Sequence, residues 1–243
     1  MLSNTTQPNA NCTSYHGFPT DMPNYFFELS LNNNAEWFNA NRDRLNRCAI
    51  GPMTELVSYL APTMLEIDGE IDVRPKKVIA RMRRDARHSQ GKPPYRDHCL
   101  CLFRKFGTQA GEVASYWFVV SAHAAEWGCG FYNLSKPVGD VLRTWCVDKT
   151  DMMLDAIGTI GSNEFAKRFE FGGESYKRAN IPDGLPDVLR PFFEKKNLSI
   201  ESRDTSLANA FDPAFADTLA ADFRLLAPIY RIMAEARIVA NQP

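Results

Sequence analysis

CLCLFRKFGTQAGEVASYWFVVSAHAAEWGCGFYNL, residues 99–134, is the stretch that decides the fold. Cys99 to Phe106 is largely apolar, Tyr116 to His123 is rich in aromatic and β-branched residues, and a short segment from Cys129 to Leu134 follows. The linkers between these runs are too short for helical crossovers, so the strands pair antiparallel. Upstream, Val78 to Arg87 alternates in part and reads as a further strand, and downstream Leu198 to Ser202 reads as an edge strand. A sheet of about four to five strands is the expectation.

Helical patterns flank this sheet. Asn34 caps a helix that begins near Ala35, with Trp37, Phe38, Leu45 and Cys48 on its apolar side. Gly51-Pro52 opens another, striped by Met53, Leu56, Val57, Leu60, Met64 and Leu65, with Pro62 as a bend and Asp68-Gly69 as its end. Beyond the sheet, helices are expected over 138–146, 150–160, 163–169, 187–195 and, as one long element, 213–238. Helices, then a contiguous sheet, then helices define a segregated α+β fold with the C-terminal helices packed on one face. Residues 1–16 read as a polar, flexible tail and 17–243 as a single domain, for which 243 residues suffice.

Composition narrows the function. Hydrophobic residues make up 44% and charged residues 23%, as in ordinary globular proteins, and the net charge of −1 gives no global attraction to nucleic acid or anionic membrane. Six cysteines (Cys12, Cys48, Cys99, Cys101, Cys129 and Cys146) show no CxxC pair or disulfide framework, so Cys99 and Cys101 are expected as small buried side chains rather than metal ligands. No metal and no cofactor is expected. The N-terminus lacks the basic start and apolar stretch of a secretory signal, and no apolar run approaches the ~20 residues of a membrane helix. A cytoplasmic protein follows, in which the sequons at Asn4 and Asn11 are chance matches.

Positive charge is concentrated in RPKKVIARMRRDARHSQGKPPYRDH, residues 74–98, where nine Lys and Arg residues meet only Asp85 and Asp97. On a regular strand Arg81, Arg83, Asp85 and Arg87 would share one side and Arg84 the other. Guanidinium forks donate paired hydrogen bonds to carboxylate or phosphate, which makes Arg81, Arg84 and Arg87 the candidate anion donors. Asp85 would orient an arginine. Gly91 and the prolines at 93 and 94 shape a loop that holds Lys92 and Tyr95 over a pocket, and His98 opens the next strand as a proton carrier beside Tyr95. His123, Glu126, Arg178, Lys195, Lys196 and Arg203 are outlying candidates for the same site. Gly128 and Gly130 mark a bulge or tight strand crossing rather than a phosphate loop.

NNNAEWF at 32–38, ARMRRDARHSQGKPPYRDH at 80–98, the GCG around Cys129 and GGESYKR at 172–178 together resemble the conserved hypothetical proteins grouped as domain of unknown function 2461. The likeness runs from about Gly17 to Tyr230. Its most specific part falls on Arg81, Arg84, Asp85, Arg87, Ser89, Lys92, Pro94, Tyr95 and His98; Arg83 and His88 stand where the family usually has aromatics, and Gly91 where it has an acidic loop residue. The resemblance implies a compact cytoplasmic α+β domain and supplies no reaction. The expected function is therefore a pocket for a small phosphate- or carboxylate-bearing molecule. The rival readings are nucleic-acid binding through the basic strand, with Tyr95, Tyr116 or Trp117 stacking a base, and docking of an acidic protein partner.

Overall fold

In the computed structural model, residues 14–242 are described apart from 86, 88, 110 and 159–162. The core of the fold is a five-stranded antiparallel sheet in the order β1-β2-β3-β5-β4, with β1 His98–Phe103, β2 Ser115–Ser121, β3 Ala125–Gly130, β4 Phe169–Gly172 and β5 Ser199–Ser202. β5 was expected at an edge but lies inside, because Phe169–Gly172 forms an unforeseen strand on its outer side where a helix end was expected. β3 begins earlier than expected. A tight turn, closed by the Ser121 N–H donating to the Ala124 carbonyl at 3.0 Å, sets Ala125 opposite Val120.

Alternation divides the sheet into two faces. The row Phe103, Tyr116, Cys129, Ile200 and Phe171 crosses all five strands in register, and its first four members are fully buried beneath helices. The adjacent row, Leu102, Trp117, Gly128, Glu201 and Glu170, points the other way. Helices therefore pack on one face, as expected of an α+β fold. Tyr116 meets Phe223 and Tyr230 with ring centroids 5.0 and 4.9 Å apart, and Phe118 meets Phe18 and Phe215. Cys99 and Cys101 are buried on this face, and burial pushes the Cys99 thiol up to about 12.

The N-terminal helices begin earlier than the apolar spacing suggested. α1 (Met22–Leu31) carries Pro23 in its first turn and buries Met22, Tyr25, Phe26 and Leu29 along one stripe. α2 (Ala35–Ala40) starts at the expected cap, where Asn34 Oδ1 accepts from the Trp37 N–H at 3.0 Å. α3 (Arg42–Leu45) then runs through a π-helical turn, Asn46–Ile50, straight into α4 (Gly51–Ile67), which continues past Pro62. Tyr15, within the expected tail, is buried and donates its hydroxyl to the Ala210 carbonyl at 3.0 Å; residues 1–13 lie outside the described residues.

Three expected elements are divided. Residues 78–87 do not form a strand. A short helix, α5 (Pro75–Val78), gives way to isolated bridges between Ile79 and Cys101 and between Arg83 and Tyr95. The Asp85 carboxylate accepts the Arg87 N–H at 3.0 Å, and such a local turn competes with a strand ladder. After α6 (Lys136–Asp148), α7 (Thr150–Gly158) and α8 (Asn163–Arg168), the expected helix over 187–195 is a 3₁₀ turn followed by α9 (Pro191–Glu194). The expected end of α7 at Ile160 is outside the described residues. Beyond α10 (Ala208–Phe211), the expected long C-terminal helix is two, α11 (Phe215–Leu225) and α12 (Ala227–Ala240), because Pro228 has no N–H for the preceding turn.

Candidate functional site

The basic segment runs along the β1 flank of the sheet, and it does not gather the expected arginines on one face. Arg81 and Arg83 are exposed. Arg87 turns back on Asp85, its Nε and Nη2 donating to the two carboxylate oxygens at 3.0 and 2.6 Å, with its side chain 81% exposed. Asp85 does orient an arginine, but out in solvent. Lys92 is exposed in a loop that turns at Gly91, where φ is +77°. Of the three expected anion donors, Arg84 alone turns inward. It donates its backbone N–H to the Pro94 carbonyl at 2.8 Å and its Nε to the Pro93 carbonyl at 3.1 Å, with Asp97 at 3.6 Å from its Nη2. His88 lies outside the described residues.

The two expected proton carriers differ in surroundings. Tyr95 is buried and stacks on Phe38 with centroids 3.9 Å apart and ring planes 12° from parallel. Its backbone is clamped by Asn33, whose Oδ1 accepts the Tyr95 N–H at 2.9 Å and whose Nδ2 donates to the Tyr95 carbonyl at 3.0 Å. His98 is partly buried, with Nδ1 3.0 Å from Asp97 Oδ1. Burial raises the Asp97 pKa, but the His98 hydrogen bond, together with the charges of His98 and Arg84, outweighs that and holds the carboxyl below its ordinary value. Of the aromatics named for base stacking, Tyr116 and Tyr95 are buried, and only Trp117 faces an open surface.

That surface is the uncovered face of the sheet. A groove of about 570 Å³ lies over it, floored by Leu100, Leu102, Trp117 and Val119 and walled by Arg96, Tyr132, Ser199 and Glu201. Glycines make room for it. A side chain at Gly128 would bring its Cβ to 2.1 Å from the Ile200 carbonyl oxygen and 3.0 Å from Trp117 Cζ2, so strands β3 and β5 approach closely and the indole lies over bare backbone. Where a bulge or tight strand crossing was expected, Gly128 sits in a regular antiparallel pair opposite Glu201.

Arg96 is the basic residue that lines the groove. It stands two positions before His98, and period-two alternation continues from it through His98 and Leu100 to Leu102. Its Nε donates to the Arg81 carbonyl at 3.2 Å. Among the described residues no carboxylate reaches it within ion-pair distance. Burial, and then the nearby Arg84 guanidinium, lower its pKa from the ordinary arginine value, opposed by Tyr132. The sequence places Arg96 in the basic run, but only the register of β1 shows that it belongs to the open face. Glu201 carries no local signal at all, since its position depends on the strand order.

The outlying candidates do not gather here. Lys195 donates to the Gly173 carbonyl, Lys196 pairs with Glu174 at 2.5 Å and Arg203 with Glu170 at 2.8 Å, all on the β4 flank. Arg178 is exposed, as are His123 in the β2–β3 turn and Glu126 in β3 opposite Val119. A second, smaller cleft of about 240 Å³ lies beside α11. In its wall Asp222, 1% exposed, accepts from Trp127 Nε1 at 2.8 Å and faces the Arg168 guanidinium. Burial raises the Asp222 pKa, opposed by the Trp127 hydrogen bond and by Arg168, and the trio ties α11 to β3 and α8. Among the described residues no group of three or more His, Cys, Asp or Glu could hold a metal ion, and no helix is long and apolar enough to cross a membrane.

No curated protein matches the chain. A family model described as "Conserved hypothetical protein (DUF2461)" matches residues 21–231, a span that takes in α1, the Asn33 clamp, the arginine segment and the whole sheet. With most of its length matched by that model, the chain belongs to the DUF2461 family of conserved hypothetical proteins.

Proposed function

We propose that this protein binds a small molecule bearing a carboxylate or phosphate on an apolar body, in the groove over the open face of the sheet. The observation that carries the reading is Arg96: a partly buried guanidinium with no carboxylate within ion-pair distance among the described residues, at the wall of a groove whose floor is apolar. A desolvated cation gains most from an anion that also excludes water, because the same charge pair is worth far more away from bulk solvent. The apolar body of the ligand would lie on Leu100, Leu102, Trp117 and Val119. Arg84 reinforces the positive field behind Arg96, while exposed Arg81 and Lys92 attract anions from a distance.

The test is thermal melting and calorimetry of the parent and Arg96→Ala with an arylalkanoate and an aryl phosphate. A ligand that binds only the folded state raises the melting temperature, by about 2.7 kcal/mol of stabilisation at one hundred times its dissociation constant. The parent is expected to be stabilised by at least one of the two probes and Arg96→Ala by neither. Equal stabilisation of both proteins, or of neither, would overturn the reading.

A further inference from the structure

The groove has a second pole. Glu201 stands in the row that starts at Leu102 and passes through Trp117 and Gly128, three strand spacings or about 14 Å across the sheet. Its direct partner on β4 is Glu170, and like charges placed opposite each other across strands repel. Arg203 neutralises Glu170 at 2.8 Å. Glu201 has no such cation among the described residues; its Oε1 accepts only the Ser199 hydroxyl, at 2.5 Å. The groove thus holds a carboxylate without a cation on one wall and a guanidinium without an anion on another, with the Trp117 indole between them.

The geometry points to a dipolar ligand: an amine-bearing carboxylate or phosphate with an apolar middle, its anion at Arg96 and its ammonium at Glu201. This rests on the groove reading above and adds the second charge. Two features favour an ammonium at that end. Glu201 and Ser199 supply acceptor oxygens, with the Glu201 carboxylate lying over Gly172, and Trp117, whose Cζ2 lies over Gly128 opposite Glu201, puts an aromatic ring in the same groove, a group that attracts cations. A purely anionic ligand would leave Glu201 covered and without a cation, at the cost of desolvating a carboxylate.

Matched arylalkanoate probes test it, one ending in an aminomethyl group and its twin in a methyl group, with the ring-to-carboxylate chain varied in length. Calorimetry is run on the parent, Glu201→Gln and Arg96→Ala; glutamine keeps an acceptor for Ser199, so the sheet is preserved. At the best chain length the aminomethyl probe is expected to bind the parent at least tenfold tighter than its twin. Glu201→Gln should erase that preference by weakening the aminomethyl probe, and should bind the methyl probe at least as tightly as the parent, since no carboxylate is then desolvated. If the parent binds the twins equally, or the preference survives in Glu201→Gln, the dipolar assignment is wrong while the Arg96 groove stands. If no probe binds the parent, or Arg96→Ala binds as tightly as the parent, the groove reading falls and the second pole with it.

Discussion

The two faces of the sheet are built from alternate residues of the same strands, yet they have opposite characters. On the covered face Phe103, Tyr116, Phe118, Cys129 and Ile200 are fully buried among the rings of Phe215, Phe223 and Tyr230. On the open face the same strands present Leu100, Leu102, Trp117 and Val119 beside glycine backbone, with Arg96 and Glu201 left without counter-charges among the described residues. One face spends its side chains on packing, and the other keeps space and unmatched charge. The comparison predicts that substitutions on the first face act on stability and those on the second on ligand affinity.

The largest effect belongs to Phe118→Ala. Removing a fully buried ring from between Phe18 and Phe215 leaves a dry cavity, and a loss of about 4 kcal/mol is expected in denaturant unfolding. A loss below about 1 kcal/mol would mean that the helices do not pack this face as described. Asp222 comes next, because it ties α11 to that face through Trp127. Asp222→Ala strands the indole N–H and the Arg168 charge and is expected to cost about 3 kcal/mol.

The same residue gives a pH test. Burial raises its folded pKa above the ordinary carboxylate value, so its favourable contribution is fully present below that ordinary value. It is lost as pH rises through the raised folded value. The stability of the parent relative to Asp222→Asn should therefore decline with rising pH across that interval; an advantage that grows with pH would show that Arg168 and Trp127 outweigh burial.

On the open face, Trp117→Ala is expected to cost about 2 kcal/mol, since solvent fills the space and no closed cavity remains, and to abolish binding of aromatic anions. The smallest stability change should come from Arg96→Ala, within about 0.5 kcal/mol of the parent, because no ion pair is broken and a poorly solvated charge is removed. A large destabilisation by Arg96→Ala would instead make this guanidinium a structural strut and erase the contrast between the faces.

Much of the fold was legible because period and turn chemistry are local. Asn34 as a cap, the apolar stripe of α4 and the β-rich runs at 99–106 and 116–123 each declare themselves within about ten residues. The failures fall where a distant partner decides. Residues 78–87 alternate like a strand, but the turn at Asp85 and the bridges to Cys101 and Tyr95 hold them in another path. Phe169–Gly172 is too short to stand out until β5 is in place beside it. The candidate site follows the same rule. The excess of arginine marks the right flank, but Arg87 is consumed by its neighbour Asp85, and Tyr95 by Phe38. Which cation remains unmatched depends on the alternation of β1, and where the opposing carboxylate lies depends on the strand order.

The Asn33 clamp on Tyr95 joins the two sequence motifs that most resemble the family, NNNAEWF and the arginine segment, across 62 residues of chain. One amide side chain occupies both hydrogen-bonding groups of the Tyr95 backbone, the place a neighbouring strand would otherwise take. Arg96 is the next residue along, so its backbone is fixed before any ligand arrives. On the proposed groove reading, the ordering entropy of the anion pole would be settled during folding, leaving binding little backbone freedom to remove. The helix cap at the start of α2 and the backbone path leading into Arg96 are, in this architecture, set by the consecutive asparagines Asn34 and Asn33.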